Sequence, residues 1–489
     1  MDSTWDSAPL LNRSRRDADR ERLVLVLSWS REEPARVGEV LVPGEGPGLL
    51  GRADTPAPDA ARLGLVRLRP GAPQTPLPLG SRRVSRDQLR ITPVGDAALR
   101  IENLGRCRLL VRGRPVDLAE LQPGQSFEIE DEVVFLVVRR VPRPPDHRGR
   151  PPRFAFGEPD DDGMVGESAA MWAIRAQVDA VGPRPVHVLV RGESGTGKEL
   201  VSAALHRRSS RGKAAMIARN AATIPASLVD AELFGNARNY PNPGMAERVG
   251  LVGEADGSTL FLDEFAELPL DAQAHLLRVL DQGEYHRLGE SRARRADIRL
   301  VAATNRPESA IKHDVLARMP LRIELPSLRD RRDDVPLVAR SVLRRMAARD
   351  PEVGRRFLDE AGQPRFSPAL IAGLLAWPWT TNVRELEQIL WRSVGISAAS
   401  LLDWPDDLDA PGPARHAAPE SPAEPGESAE AGTWTPEQIQ EMLDAFDGRQ
   451  EPTWRALGMS SRHVLTRLVR RHGLRVRGRA GDDDGFSSR

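Results

Sequence analysis

Eight residues constrain this chain more than any others: GESGTGKE, Gly192 to Glu199. An apolar run, Val186 to Val190, precedes them, and a helix-like run, Leu200 to Arg207, follows. Strand, glycine loop, helix is the setting in which backbone N–H groups turn toward phosphate oxygens. Gly192, Gly195 and Gly197 supply the freedom that such a turn requires, with Glu193, Ser194 and Thr196 between them. Lys198 brings a point charge for the β and γ phosphates. All but three of the 70 basic side chains are arginine, and one of the three lysines falls where a phosphate loop needs it. Glu199 replaces the Ser or Thr of the generic loop, which marks a subtype.

At 489 residues the chain has room for about three domains. Its net charge is zero, so any nucleic-acid contact must come from a local patch. Cys107 is the only cysteine, which forbids an internal disulfide and suits a reducing cytosol. Residues 1–22 are charged and lack an apolar core, so neither a signal peptide nor a folded element is expected there. No apolar run approaches about 18 residues, so no membrane contact is expected and the location is read as cytoplasmic.

Two segments read as linkers too poor in large apolar residues to offset chain entropy, 142–163 and 405–433. They leave three folded blocks. Residues 23–141 carry short β-like runs separated by turn residues: 23–29, 63–68, 88–92, 99–101, 109–111, 127–129 and 133–138. That spacing predicts an all-β sandwich. Residues 164–328 alternate strand-like and helix-like runs, and 329–404 turn helical, which predicts an α/β nucleotide domain with a helical lid. Residues 434–476 predict a small helical block, followed by a tail, 477–489.

TLFLDE, Thr259 to Glu264, reads as a buried strand ending in two carboxylates. Asp263 would hold a Mg²⁺ shell and Glu264 would polarise the attacking water. A helix-capping acid is the bland alternative, weakened by the phosphate loop upstream. RLVAATN, Arg299 to Asn305, is a second such strand, whose Thr304 and Asn305 are placed to sense a γ-phosphate.

With ELFG (232–235), ADGSTLFLDEFAELPLDAQAHLLRVL (255–280), VAATNR (301–306), LPSLRDRRDDV (325–335) and NVRELEQ (382–388), the block resembles the AAA+ domain of bacterial enhancer-binding proteins, the sigma-54-dependent activators. The resemblance implies an ATPase ring, usually a hexamer, with ATP and Mg²⁺ held between subunits. It implies that Asn220 restrains Glu264, that Arg318 reaches a neighbour's γ-phosphate, and that Arg384 is the lid sensor. Lys312 stands at the family's other finger position, where it lacks the planar fork of arginine. A further departure lies after ELFG. The family's GAFTGA loop, which engages sigma-54, is replaced by NARNYPNPG, Asn236 to Gly244, stiffened by Pro241 and Pro243. The lid reads WPWTTNVREL, two residues longer than the common WPGNVREL.

Gly51–Arg52, VSRDQLRI (84–91) and NLG (103–105) resemble a forkhead-associated domain, a sandwich that reads phosphothreonine through loops at one end. Arg52 and Ser85 match its phosphate-binding positions, and such a pair suits charge-assisted and hydroxyl bonds to a phosphate. Gln88 replaces the usual His, and Arg108 lies near the second loop's Asn. An inert docking sandwich is the alternative.

Ile439, Met442, Leu443 and Phe446 recur at helical spacing, and TWRALGMSSRHVLTRLVRRHGL (453–474) follows. The pattern resembles a Fis-type helix-turn-helix, whose second helix belongs in the major groove of double-stranded DNA. Arg462, His463, Thr466 and Arg467 lie on or near its exposed side, and Arg470 and Arg471 suit phosphates.

The chain thus reads as an ATP-dependent, DNA-binding transcription regulator acting on RNA polymerase holoenzyme or a sigma factor, with a sensor for a phosphothreonine protein. Two alternatives stand beside it: a sigma-54-independent regulator using ATP as an assembly switch, and a phosphothreonine-dependent scaffold with structural ATP.

Overall fold

A computed structural model describes residues 21–53, 60–143, 152–405, 407–408, 436–446, 453 and 456–457. The chain divides into two units, Met1–Ala414 and Arg415–Arg489.

In the first unit, short apolar runs punctuated by Gly and Pro form β1 (Arg22–Ser30), β2 (Val40–Leu41), β3 (Gly48–Leu50), β4 (Ala61–Arg62), β5 (Leu65–Val66), β6 (Leu89–Val94), β7 (Ala98–Asn103), β8 (Leu109–Val111), β9 (Arg114–Val116), β10 (Leu118–Leu121), β11 (Ser126–Ile129) and β12 (Val133–Arg140). They make two sheets, β5-β2-β1-β12-β11-β8-β9 and β10-β7-β6-β3-β4. Leu25, Leu27, Phe127 and Phe135 from the first sheet share a core with Leu50, Ile91, Leu99 and Ile101 from the second. The expected sandwich is present. The strands that the sequence reading does not contain, β2, β3, β4, β9 and β10, are short, and β4, β9 and β10 are edge strands.

Strand β12 shows why the sandwich does not stand apart. Its residues point alternately to opposite faces. Val133, Phe135 and Val137 fill the sandwich interior. Val134 and Leu136 point the other way, into a core shared with the helical lid. Trp29 joins that core and donates from Nε1 to the Phe366 carbonyl at 2.9 Å. Uncovering such side chains would cost about 1.5–3 kcal/mol each, so the sandwich is docked and not merely tethered.

The ATPase block follows as α1 (Ala169–Val181), β13 (Val188–Arg191), α2 (Lys198–Arg207), β14 (Ile217–Asn220), α3 (Val229–Phe234), α4 (Leu251–Glu254), β15 (Thr259–Asp263), α5 (Leu270–Gln282), β16 (Glu284–Tyr285), β17 (Arg294–Arg295), β18 (Arg299–Thr304), α6 (His313–Ala317) and β19 (Leu321–Glu324). The sheet is parallel, in the order β14-β15-β18-β13-β19. Apolar residues cover both of its faces, as a parallel sheet requires. The glycine loop leaves β13, whose neighbours β18 and β19 both follow it in sequence, at a topological switch point where ligands collect. The lid is α7 (Val335–Arg349), α8 (Pro351–Phe357), α9 (Pro368–Ala376) and α10 (Val383–Ile396).

One expectation needs correction. The segment 142–163 is not linker throughout, because residues 152–163 pack. Phe156 and Asp162 are buried. Phe154 stacks on Trp172 of α1, with the guanidinium of Arg69 4.3 Å from the Phe154 ring centre. Arg175 Nε pairs with Asp160 at 2.8 Å. Its two phenylalanines and its charged side chains bury it together, by cation–π stacking and ion pairs.

In the second unit, α11 (Pro436–Ala445) buries Ile439 and Leu443 on one face, as the spacing predicts. Arg462, His463, Thr466, Arg467, Arg470 and Arg471 lie outside the described residues.

Candidate nucleotide site and its neighbouring loops

The glycine loop forms the floor of a cavity of about 330 Å³. Gly192, Gly195 and Gly197 all take positive φ, and a Cβ at Gly195 would lie 2.4 Å from the Thr381 carbonyl. Only glycine lets this backbone turn its N–H groups inward so close to the lid. Lys198 is buried and folds back onto the carbonyls of Gly192 and Glu193, at 3.1 and 3.3 Å. Phosphate oxygens offer the same ammonium a stronger, charged acceptor. Thr196 Oγ1 donates to the Glu193 carbonyl at 2.9 Å and ties the loop to itself. Glu199 lines the cavity from the first turn of α2.

Asp263 and Glu264 also line the cavity. Asp263 Oδ1 and Glu264 Oε2 are buried without a hydrogen-bond partner. Glu264 takes a left-handed backbone, φ 49°, ψ 43°. Non-glycine residues adopt that conformation at a cost and where function fixes it. Orphaned carboxylate oxygens facing a phosphate cradle fit Mg²⁺, which binds through one or two carboxylates plus substrate phosphates. No group of three or more His, Cys, Asp or Glu side chains converges as a metal site among the described residues.

The lid closes the cavity. Val383 N donates to the Gly195 carbonyl at 3.2 Å, and Arg384 Nη1 to Ser194 Oγ at 2.6 Å. Asn382 bridges the Glu193 carboxylate and the Ser194 carbonyl, both at 3.0 Å. The two extra lid residues are organised locally: Glu385 accepts from Trp377 Nε1 and from the N–H groups of Thr380 and Thr381. Those donors hold its carboxyl below the usual range against the opposing effect of burial.

Other expected residues sit differently. Asn220 pairs in register with Asp263, yet its Oδ1 accepts from Ala222 N at 2.9 Å, and no bond joins it to Glu264. A short polar side chain at the start of a 3₁₀ turn caps the free N–H nearest to it. Asn305 is exposed just past β18 and outside the cavity lining. Arg318 is also outside it, exposed and paired with Asp281 at 2.7 Å, a bond that raises the guanidinium's pKa. Lys312 opens α6, its N–H bonded to Gln273 Oε1 at 2.9 Å. Neither residue lines the cavity.

The sequence reading missed the apolar side of the cavity. Met164, Val165, Met171, Leu325 and Val338 line it, with Arg331 among them. Arg331 is buried, touches Met171 Sδ and donates to the Thr196 carbonyl at 3.4 Å. Burial lowers its pKa. The string LRDRRDDV held the signal, but nothing local distinguishes Arg331 from Arg329 or Arg332.

The segment 236–244 folds back on itself. Asn236 is buried, and its Nδ2 donates to the carbonyls of Ala237, Tyr240 and Ala246. Tyr240 lies against Gly289, where a Cβ would fall 2.5 Å from its Cγ. On the sandwich, Arg52 N donates to the Ser85 carbonyl at 3.1 Å, which places both residues at one loop end. Ser85 Oγ accepts from Arg106 N at 3.0 Å. Gln88, fully buried, takes over the bracing of that loop: Oε1 accepts from Ser85 N, and Nε2 donates to Asn103 and to the Cys107 carbonyl. Arg108 instead pairs with Glu130.

Residues 164–325 match the family described as Sigma-54 interaction domain, and residues 329–418 match the AAA+ ATPase lid domain. The DNA-binding transcriptional regulator NtrC of Salmonella typhimurium is 39% identical over 294 residues, 58% of this chain and 60% of that protein. Nitric oxide reductase transcription regulator NorR1 of Cupriavidus necator is 36% identical over 353 residues, 67% of this chain and 66% of that protein. The structure of NtrX from Brucella abortus in complex with ATP is 26% identical, covers 64% of this chain and 69% of that chain, and has a TM-score of 0.45. The chain spans about 60% of the length of the NtrC relative it matches. The two family matches lie one after the other and together take in the parallel-sheet block and the helical lid. No helix among the described residues is long and apolar enough to cross a membrane.

Proposed function

We propose that this chain is a cytoplasmic, ATP-hydrolysing, DNA-binding transcription regulator of the sigma-54 activator kind, assembled as a ring, and that its sandwich is a phosphothreonine-type sensor. The convergence of Lys198, the orphaned oxygens of Asp263 and Glu264, and Arg384 on one cavity carries the nucleotide reading. Backbone N–H groups of 192–198 and Lys198 hold the phosphates, Asp263 holds Mg²⁺, and Glu264 orients water and takes its proton. Mg²⁺, when bound, neutralises charge on the phosphate oxygens. Arg318 and Lys312, lying outside their own chain's cavity, serve a neighbour's ATP in a homo-oligomer, with six subunits expected. The block 434–476 binds double-stranded DNA through Arg462, His463, Thr466 and Arg467 at bases and Arg470 and Arg471 at phosphates. Arg52 and Ser85 meet at one loop end, which supports the phosphothreonine reading.

One observation favours a partner other than sigma-54. The segment 236–244 offers Tyr240 as its only aromatic, laid against Gly289 and held by the bonds of Asn236. A Phe-Thr tip would have to project. The ring is then expected to act on RNA polymerase through another surface or sigma factor. The test is open-complex formation at a sigma-54 promoter, using full-length protein and enhancer DNA selected by that protein. No ATP-dependent melting is expected, although ATP is hydrolysed by the wild type and not by Glu264→Gln. Melting by the wild type alone would restore sigma-54 as the partner.

A further inference from the structure

We infer that Arg140, a residue of the sandwich, positions the nucleotide pocket of the ATPase. The inference rests on the nucleotide reading above and goes beyond it, because it makes that pocket incomplete without the sandwich.

Arg140 is the last residue of β12, yet its side chain ends in the ATPase block. It is buried, donates from Nη2 to the Glu167 carbonyl at 2.8 Å, and lies 3.6 Å from the Asp333 carboxylate. Both partners flank the cavity. Glu167 follows Met164 and Val165, which line it, and Asp333 is two residues from Arg331, which also lines it.

The Glu167 backbone is gripped on both sides. Arg140 takes its carbonyl, and Asp334 Oδ1 accepts its N–H at 2.7 Å and that of Ser168 at 2.9 Å. Asp334 Oδ2 also accepts from Ser168 Oγ at 2.5 Å. Ser168 in turn caps α1 by accepting from Met171 N at 3.2 Å. Met171 carries the sulfur that Arg331 touches, and the other arm of Arg331 reaches the Thr196 carbonyl in the phosphate loop. A second sandwich arginine, Arg69, lies 3.9 Å from the Glu167 carboxylate. There is no space for slack: a Cβ at Gly166 would fall 2.5 Å from Asp334 Oδ2.

Electrostatics give Arg140 a task that a neutral packing residue could not perform. Asp333 and Asp334 are adjacent and poorly solvated, and burial followed by the Asp334 charge pushes the Asp333 carboxyl up to about 7. Arg140 and Arg331 oppose that rise. Without Arg140, the turn bearing Arg331 would hold an uncompensated carboxylate, and such turns protonate or move. Movement would shift Arg331 and loosen residues 163–168, the wall opposite the phosphate loop. Reciprocity follows for this one contact: breaking the Arg140 grip weakens nucleotide binding, and nucleotide strengthens that grip by the same factor.

A buried arginine that only staples two folded parts would change stability and nothing else. The experiment therefore reads nucleotide affinity and stability together. Fluorescent mant-ADP is titrated into the full chain, and ATP turnover is measured for KM and kcat. Arg140→Ala is expected to weaken mant-ADP binding about tenfold and raise KM alike, with kcat within about twofold. Arg140→Lys should recover part of the loss, because it keeps the charge without the fork. Asp333→Asn should weaken binding similarly, and the double variant should be no worse than either single one. Trp29→Phe, at the Phe366 end of the interface, should lower Tm and leave affinity unchanged. Unchanged affinity in both Arg140→Lys and Asp333→Asn, alongside a lowered Tm in Arg140→Ala, would make Arg140 a staple and overturn the inference. No mant-ADP binding by the wild type would instead overturn the nucleotide reading itself.

Discussion

Two loops leave the same parallel-sheet domain and have met different fates. The phosphate loop, 192–199, keeps its glycines, its lysine and the facing acid pair. The segment 236–244, where the resemblance implies GAFTGA, reads NARNYPNPG. Phosphate chemistry explains the contrast. A phosphate has one charge pattern and one size, so the groups that cradle it have no equivalent substitutes. A protein-facing loop meets a surface that can itself change, and its tip can be rewritten without touching the cavity. Here Asn236 binds three carbonyls and Tyr240 lies on Gly289, so the segment is held by its own contacts.

The sharpest way to break this contrast is at Lys198. Lys198→Ala should weaken nucleotide binding by at least about 100-fold, the order expected for charge-assisted bonds to phosphate. Isothermal titration with ATP analogues measures it, and an intact affinity would mean that the loop has lost its role as well. At the other loop, Tyr240→Ala should change ATP turnover by less than about twofold, as a half-exposed surface substitution does. Gly289→Ala displaces the ring sterically and should leave turnover equally intact while altering polymerase capture in a pull-down. A large turnover defect in either variant would show that the two loops are coupled.

The smallest expected effect lies where the sandwich meets the ATPase. The Asp333 carboxyl is raised, so between about pH 4 and about pH 7 the folded chain holds a proton that the unfolded chain has lost. Its contribution to stability is complete below the unfolded value and is lost as pH rises through about 7. Thermal unfolding should show a higher Tm near pH 6 than near pH 8, and Asp333→Asn should remove part of that difference. An equal pH response in Asp333→Asn would assign it to other groups.

Much of the cavity was legible because its chemistry is contiguous. Gly192 to Glu199 and Thr259 to Glu264 each carry strand, turn and reacting groups in one short string. The lid's Arg384 was legible through NVREL. Arg331 was not, because three arginines share its string and only burial separates it from the others. The docking of the sandwich leaves a trace in the sequence. VVFLVVRR in β12 is a continuous apolar run where a strand with one solvated face would alternate. The run means that both faces are covered, but it does not name the second cover.

The sequence alone determined the sandwich, the α/β block and the glycine loop with its lysine, because local turns, periodicity and adjacent residues encode them. Tertiary structure decided the rest. It set Val134 and Leu136 against the lid, turned 152–163 from apparent linker into packed wall, and carried Arg140 to Asp333 across 193 residues of chain. Such pairings depend on which apolar face finds which partner, and on where a buried carboxylate finds a counter-charge. Both are settled by desolvation in the assembled fold, where residues far apart in the chain share one low-dielectric space.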